Sequence, residues 1–247
     1  MPSRCSQFFA GVKAETPLLI GVVPFGLIYG VLALDAGIPP MQAQAMSAMV
    51  FAGSSQFILT QLVHSGVPAL VMVLTVAVVN LRHALYSLSV APYLQQLRPA
   101  WKLLLGYLLT DEAYAVTIIY YQKTNVNNHL SHQQEELHLD DRNSLYNDNR
   151  HWYFLGSGLT LWTSWQLSTA AGIFLGAVVP QSWSLDFTLA LTFISLVVPN
   201  LKDKPALLAA LSAGVVAILA YTLPYKLGLM VAALVGILVG LLVEGRA

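Results

Sequence analysis

Long apolar runs separated by short polar stretches dominate the chain. A bilayer-spanning helix needs about 20 mostly apolar residues, because each residue adds about 1.5 Å along the axis. These runs predict an all-α polytopic integral membrane protein with about seven or eight transmembrane helices, forming a single transmembrane domain over residues 1–247. The candidate spans are residues 17–34, 43–63, 67–93, 101–121, 152–179, 185–198, 206–223 and 227–243.

Three of these spans depart from the length that a bilayer requires. Residues 67–93 and 152–179 are longer, so each is predicted to be tilted or broken. Residues 185–198 are too few to cross comfortably, and Pro199 is a poor continuation for a helix. A re-entrant segment would reduce the number of spans from eight to seven.

Small and polar residues interrupt the second span at 51–57 (FAGSSQF). We predict a broken or re-entrant segment near residues 51–57, which a membrane protein tolerates where the freed backbone lines a cavity. A half-helix beginning near Ser54 would direct N–H groups and a positive dipole end at that cavity, which suits a substrate carboxylate. Equally, Gly53, Ser54 and Ser55 fit close helix packing, with Gln56 hydrogen-bonded across the interface.

Composition agrees with a membrane location and excludes several kinds of site. Hydrophobic residues make up 56% of the chain and charged residues 10%, against about 25% charged in a soluble domain. Acidic and basic residues balance at 12 each, so no basic field favours nucleic acid. Cys5 is the only cysteine, which excludes a disulfide framework and a cysteine-rich metal site. We predict no cofactor and no metal ion.

The positions of lysine and arginine predict a cytoplasmic N-terminus. In an eight-span arrangement the cytoplasmic side would hold Arg4, Lys13, Lys123, Arg142, Arg150, Lys202, Lys204 and Arg246, and the outside would hold Arg98, Lys102 and Lys226. The polar stretch at about 122–151 would then be a solvated cytoplasmic connector. It contains four of the six histidines, but their spacing fits no compact metal motif.

Three ionisable side chains, Arg82, Asp111 and Glu112, lie deep within candidate spans. Each charge costs about 2.5–3.5 kcal/mol near the bilayer midplane, so all three must be paired, hydrated or protonated. Arg82 can neutralise either acid in a structural ion pair, or it can hold a substrate carboxylate. Adjacent helical residues diverge by about 100°, so we expect one acid to face Arg82 and the other to take up a proton or remain a neutral, hydrogen-bonded acid.

Other polar and aromatic residues near these charges are further candidates. His83 can relay protons or be a hydrogen-bonded packing residue. Trp162 and Trp165 lie too deep for an interfacial belt, and they can line an apolar pocket or pack in the core. The candidates for substrate binding are Gly53, Ser54, Ser55, Gln56, Asn80, Trp162 and Trp165, and those for charge balance and proton coupling are Arg82, His83, Asp111 and Glu112.

A polar site inside a membrane favours transport. No serine triad, phosphate loop or HExxH motif is present, so we expect no enzymatic activity. A passive channel for small polar solutes, an intramembrane enzyme and an amino-acid-binding membrane sensor are the alternatives.

Four stretches in this order resemble the AzlC family of branched-chain amino-acid permeases. They are residues 24–30 (PFGLIYG), 51–57 (FAGSSQF), 80–86 (NLRHALY) and 109–115 (LTDEAYA). The resemblance implies the large subunit of a two-component exporter in the bacterial inner membrane, working with a small AzlD-like membrane subunit. Its substrates would be valine, leucine and isoleucine, with methionine as a further candidate, and efflux would be coupled to protons. The connector at 122–151 is longer than the family pattern implies.

Overall fold

The computed structural model describes residues 3–134, 149–177, 201, 203–223 and 227–245. Within these ranges the regular structure is entirely helical, which confirms the all-α prediction. The helices are α1 (Arg4–Glu15), α2 (Leu19–Asp35), α3 (Pro40–Val50), α4 (Gly53–His64), α5 (Ala69–Val79), α6 (Leu81–Leu94), α7 (Pro99–Tyr107), α8 (Asp111–Gln134), α9 (Arg150–Gly176), α10 (Lys204–Leu219) and α11 (Leu227–Glu244).

The first helical run is longer than the span predicted at 17–34. A 3-10 turn at Thr16–Leu18 joins α1 to α2, so Arg4–Asp35 forms one run of 32 residues that is long and apolar enough to cross a membrane. Pro17 lies at the start of this turn, where its missing N–H costs no helical hydrogen bond. Glu15, which the sequence interpretation left outside the first span, therefore lies inside it and is fully buried.

The second span is broken where the sequence predicted. Helix α3 ends at Val50, Phe51 adopts a left-handed conformation (φ 41°, ψ 44°), and Ala52 is extended before α4 begins at Gly53. A Cβ on Gly53 would lie 3.1 Å from a ring carbon of Trp165, so glycine lets α4 begin close to the indole. The break confirms the prediction near residues 51–57.

The third span is interrupted at Asn80, between α5 and α6. The Asn80 N–H donates to the Val76 carbonyl at 3.0 Å, and the Asn80 carbonyl accepts from the His83 N–H at 2.9 Å. These bonds close the end of one helix and the start of the next. Of the two alternatives for residues 67–93, the structure shows a break.

The fourth candidate span, residues 101–121, is also broken, and the sequence analysis predicted no interruption there. Helix α7 ends at Tyr107, and α8 begins at Asp111 after a short non-helical segment. Thr110 caps α8, since its Oγ1 accepts from the Ala113 N–H at 3.4 Å. Asp111 and Glu112 occupy the first turn, where a helix N-terminus favours negative charge.

Helix α9 is unbroken over 27 residues and packs closely against α1 and α2. Of the two alternatives predicted for residues 152–179, a break is excluded over the described part, because α9 is one helix about 40 Å long, and the tilt stays a prediction. Glycines make the contact possible: a Cβ on Gly11 would lie 2.0 Å from the Tyr153 carbonyl oxygen, and one on Gly172 would lie 2.2 Å from the Leu27 carbonyl oxygen.

Two predicted segments differ from the structure or lie beyond it. Helix α8 continues to Gln134 and α9 begins at Arg150, so the supposed connector at 122–151 is helical over 122–134 and from 150 onward. The remainder of the connector and the predicted span at 185–198 lie outside the described residues.

The outer surface of the helices is apolar. Ile20, Met49 and Leu88 are exposed to 82%, 81% and 71%. Such a surface is typical of helices that face lipid, and the chain is a polytopic membrane protein. Among the described helical runs, Arg4–Asp35 and Ala69–Leu94 are each both long and apolar enough to cross a membrane alone, while the total of seven or eight spans stays a prediction.

The close approach of α2 to α9 predicts a sharp difference between two glycines of the same helix. A Cβ on Gly30 would lie 2.5 Å from both Ile173 N and Thr169 O, whereas one on Gly21 meets nothing within 4 Å. We expect Gly30→Ala to lower the free energy of unfolding by about 1–3 kcal/mol through overpacking. The matched control Gly21→Ala should be neutral or gain up to about 1 kcal/mol of helix propensity. Thermal unfolding of the purified variants in detergent measures both; equal midpoints would contradict the prediction.

Candidate functional site

One cavity of about 290 Å³ lies where three broken helices meet. The starts of α4, α6 and α8 contribute polar residues to it, and the first helical run and α9 contribute mainly apolar ones. The lining residues are Leu18, Gly21, Val22, Phe25, Phe51, Ala52, Gly53, Ser54, Arg82, His83, Thr110, Asp111, Glu112, Leu161 and Trp165. The three polar clusters singled out in the sequence thus come together around one space.

Arg82, at the start of α6, connects the starts of α4 and α8 to its own helix. Its Nη1 lies 2.7 Å from Asp111 Oδ2 in an ion pair, and its Nη2 donates to Ser54 Oγ at 2.7 Å. The Arg82 and Asp111 side chains are 31% and 39% exposed, so the pair borders the open cavity. A guanidinium presents several donors in one plane, which lets Arg82 bind both partners at once.

The pair leaves hydrogen-bonding capacity beside the cavity. Arg82 Nε and Asp111 Oδ1 are buried, and neither has a hydrogen-bond partner among the described residues. An unsatisfied buried donor or acceptor costs about 1–3 kcal/mol. A bound polar molecule could satisfy one donor and one acceptor at this point.

The helix starts add a second attraction for anions. No side chain caps α4 or α6, and the first N–H groups of these helices have no partner within the helix, apart from that of His83, which donates to the Asn80 carbonyl; in α8 the Ala113 N–H is capped by Thr110. The positive ends of the helix dipoles therefore point toward the region of Gly53, Arg82 and Asp111. Free N–H groups and a cation together make this part of the cavity suitable for a carboxylate.

The two acids have different surroundings. Asp111 is paired with Arg82, whereas Glu112, next in the chain, lines the cavity and is partly buried. This arrangement agrees with the expectation that adjacent carboxylates do not share one partner. His83 also lines the cavity, and its ring makes an edge contact with Tyr86 at 5.9 Å between centroids.

The remaining wall of the cavity is apolar. Val22 and Phe25 come from α2, Phe51 from the break before α4, and Leu161 and Trp165 from α9. Phe25 stacks edge-on against Phe57, and Trp165 stacks on Tyr29, so both rings are held by aromatic neighbours. A molecule with one charged end and one apolar end matches a cavity lined in this way.

Four of the residues predicted to bind substrate do not line the cavity. The Ser55 hydroxyl donates to Asn80 Oδ1 at 2.6 Å, which ties α4 to the break before α6. The Trp165 indole N–H donates to Gln56 Oε1 at 3.2 Å, and Gln56 is fully buried. Trp162 donates from its indole N–H to the Tyr107 hydroxyl at 2.7 Å. Ser55, Gln56, Asn80 and Trp162 therefore join the elements around the site, while Gly53, Ser54 and Trp165 border it.

Some cavity residues escaped the sequence interpretation. Thr110 is one, although a threonine followed by two acids is a recognisable helix start. Phe25 and Phe51 are others; each lies in a motif quoted above, but an aromatic residue in a membrane span gives no signal of its own. Among the described residues, no group of three His, Cys, Asp or Glu side chains could hold a metal ion.

The comparisons with known proteins agree with these motifs. A family model described as AzlC protein matches residues 17–179, a range that contains all the cavity residues. The inner membrane protein YgaZ of Escherichia coli strain K12 is 26% identical over 224 residues, 87% of this chain and 81% of that protein. An uncharacterized membrane protein of Archaeoglobus fulgidus is 28% identical over 220 residues, 87% of this chain and 85% of that protein. No solved structure matches the chain.

The contact between Arg82 and Asp111 predicts strong coupling between two substitutions. Arg82→Ala and Asp111→Ala should each destabilise the protein, because each leaves an unpaired charge inside the membrane. The double variant should recover part of that loss, with a coupling free energy of about 0.5–3 kcal/mol. Thermal unfolding of the wild type, both single variants and the double variant measures this coupling. Ser54→Ala is the control for loss of the neutral partner of Arg82, and strictly additive effects of the two charge deletions would rule out the ion pair.

Proposed function

The chain belongs to the AzlC family of membrane proteins, and from this we propose that it is the large subunit of a secondary transporter that exports branched-chain amino acids. The observation that carries the proposal is the cavity itself. It joins a cation, two carboxyl groups and three helix starts to an apolar wall. A site of this composition at a broken-helix junction is typical of secondary transporters.

A zwitterionic amino acid fits the polar side of the cavity. Its carboxylate would accept hydrogen bonds from Arg82, Ser54 and the first N–H groups of α4. Its ammonium group would donate to Asp111 Oδ1, which lacks a partner, or to Glu112. Both charges of the substrate would thereby be compensated without disrupting the contact between Arg82 and Asp111.

The apolar wall supports an aliphatic side chain. Val22, Phe25, Phe51 and Leu161 offer no hydrogen-bonding side-chain group to a polar substrate. The cavity volume of about 290 Å³ lies near the lower end of the range of about 300–1,000 Å³ found for small-molecule sites. These features support valine, leucine and isoleucine, which the family resemblance implies, and methionine as a flexible apolar alternative.

Proton coupling would use the acid that is not paired with Arg82. Glu112 lines the cavity and neighbours the ion pair, so protonation of this carboxyl changes the charge that a substrate meets. His83 is the second candidate, because an imidazole exchanges protons in the physiological range. Asp111 stays paired with Arg82 and balances its positive charge.

The proposed setting is the bacterial inner membrane, with a cytoplasmic N-terminus and a small AzlD-like membrane subunit as partner. The homologues are membrane proteins, and this chain shares that location. The wide apolar surface of the described helices supports contact with lipid and with another membrane protein.

Efflux of labelled valine tests the proposal directly. Cells preloaded through a valine dipeptide would express this chain with and without the small subunit, and with and without a protonophore. We expect efflux that requires both proteins and that the protonophore abolishes, because outward movement against a gradient needs an energy source. Alanine in place of Arg82 should reduce the efflux by at least about tenfold, since the carboxylate loses its charge-assisted partner.

Other outcomes identify the alternatives. Non-saturable efflux that ignores the protonophore would indicate a passive channel. Valine binding without flux, with both proteins verified in the membrane, would indicate a sensor. Absence of both binding and flux would contradict the valine assignment.

A single carboxyl substitution tests the proton role of Glu112. Glu112→Gln keeps the size and hydrogen-bonding capacity of the side chain but cannot bind or release a proton. We expect residual valine efflux that no longer responds to the pH gradient or to the protonophore. Asp35→Asn is the matched control, because Asp35 is an exposed carboxylate at the end of α2. Efflux from Glu112→Gln that still follows the pH gradient would transfer the proton role to His83 or another group.

A further inference from the structure

Glu15 is the most deeply buried charged-type residue in the part of the chain that the structure describes. Its relative exposure is 0%, and every other Asp, Glu, Lys or Arg side chain described is at least partly exposed. It lies at the end of α1 within the run Arg4–Asp35, one turn before Leu18, which lines the cavity. The binding site described above does not use it.

The contacts of Glu15 satisfy only one of its carboxyl oxygens. Ser157 of α9 donates from Oγ to Glu15 Oε2 at 2.5 Å. Glu15 Oε1 is buried and has no hydrogen-bond partner among the described residues. Lys13, two residues earlier, is exposed and points to another side of α1. No described cation therefore compensates a negative charge at this position.

A buried polar strip connects Glu15 with the cavity through α8. Gln7 and Glu15 lie eight residues apart on the buried face of α1, and Gln7 Oε1 accepts from the Tyr120 hydroxyl at 2.7 Å. Eight residues before Tyr120 is Glu112, in the first turn of the same helix α8 that packs against α1. Thr117, between those two residues of α8, is fully buried and its hydroxyl has no partner among the described residues.

Among the residues that the structure describes, the titratable groups around Glu15 are few and none is basic. Glu112 lies on α8, which packs against α1, and Tyr153 approaches Glu15 from α9. Tyr120 and Tyr153 stack on each other with ring centroids 3.9 Å apart. An isolated carboxylate in such surroundings costs many kcal/mol unless it becomes neutral.

We propose that Glu15 is a second proton-binding carboxyl of this protein, which exchanges its proton with Glu112 at the cavity wall. In this step the O–H bond of one carboxylic acid breaks as an O–H bond forms on the other carboxylate, with the proton carried by water or hydroxyl groups between them, and the total charge of the pair stays the same. The hydroxyl of Ser157 holds Glu15 in place for the exchange. The transport consequence rests on the proposed function, whereas the protonation itself does not.

Infrared spectroscopy tests the protonation without any transport assay. A protonated carboxylic acid has a C=O stretching band separate from those of carboxylate and amide groups. We expect purified wild-type protein at neutral pH to show such a band, Glu15→Gln to lose it, and Ser157→Ala to keep it at a shifted frequency because the hydrogen bond is removed. Glu112→Gln should change the pH at which the band disappears, because the proposed exchange links the protonation of the two carboxyls.

A spectrum that Glu15→Gln leaves unchanged would overturn the proposal. If Glu15→Gln proves unstable, Ser157→Ala still decides the test. The Ser157→Ala variant retains the Glu15 carboxyl, so its band should remain at a shifted frequency. A Ser157→Ala spectrum identical to the wild type would likewise assign the band to another residue and overturn the proposal.

Reconstituted vesicles test the consequence for transport. With labelled valine as substrate, we expect Glu15→Gln to lower the ratio of pH-gradient-driven uptake to counterflow exchange by at least about tenfold. Glu15→Asp, which restores an ionisable group, should recover part of that ratio. An unchanged ratio would overturn the exchange with Glu112 while leaving the transporter assignment intact. Absence of all valine transport by the wild type would instead contradict the proposed function, and the infrared result would still decide whether Glu15 binds a proton.

Discussion

The Arg82 guanidinium holds together a polar site that would otherwise be unstable inside a membrane. Three helices are interrupted within apolar segments, and each interruption releases backbone N–H groups that lipid cannot satisfy. These helix starts are tolerated because they surround one cavity, and Arg82 joins them by binding Ser54 and Asp111. Without Asp111 the cation and the three positive dipole ends would repel one another, so the ion pair is a condition for the arrangement as well as a candidate binding element.

The breaks need a rigid neighbour, and α9 provides it. This helix is continuous, and glycines bring its backbone against α1 and α2. Side-chain hydrogen bonds then fix the segments before and after the first break: Ser47 Oγ lies 3.0 Å from Thr169 Oγ1, Gln44 donates to Gln166 Oε1 at 2.8 Å, and Trp165 donates to Gln56. In lipid, where apolar association gains little, close packing and interhelical hydrogen bonds are the contacts that can position half-helices.

The helix breaks around this site could be predicted where the amino-acid composition or the length of a span indicates an interruption. Glycine and serine at 53–55 and the excess length of 67–93 both indicated interruptions, and both are present. The break before Asp111 was missed because its signal, a capping threonine followed by two acids, was interpreted only as charge in a span. Glu15 was missed for a different reason: Pro17 was taken as a boundary, whereas a 3-10 turn carries the helix through it. The convergence of three helix starts on one cavity depends on tertiary packing that no local pattern contains.

The separation of Glu15 from the cavity has a physical advantage for a carrier of zwitterions. Such a substrate adds one positive and one negative charge, so it can enter beside Arg82 and Asp111 without changing the net charge of the site. A proton that bound to Asp111 would break that compensation and leave Arg82 unpaired. A proton held by Glu112 and Glu15 changes the charge of the site while the ion pair stays intact, and Glu15, behind the wall, makes no contact with the substrate. Coupling would then act through the charge of Glu112, the acid that borders the cavity and is not paired with Arg82.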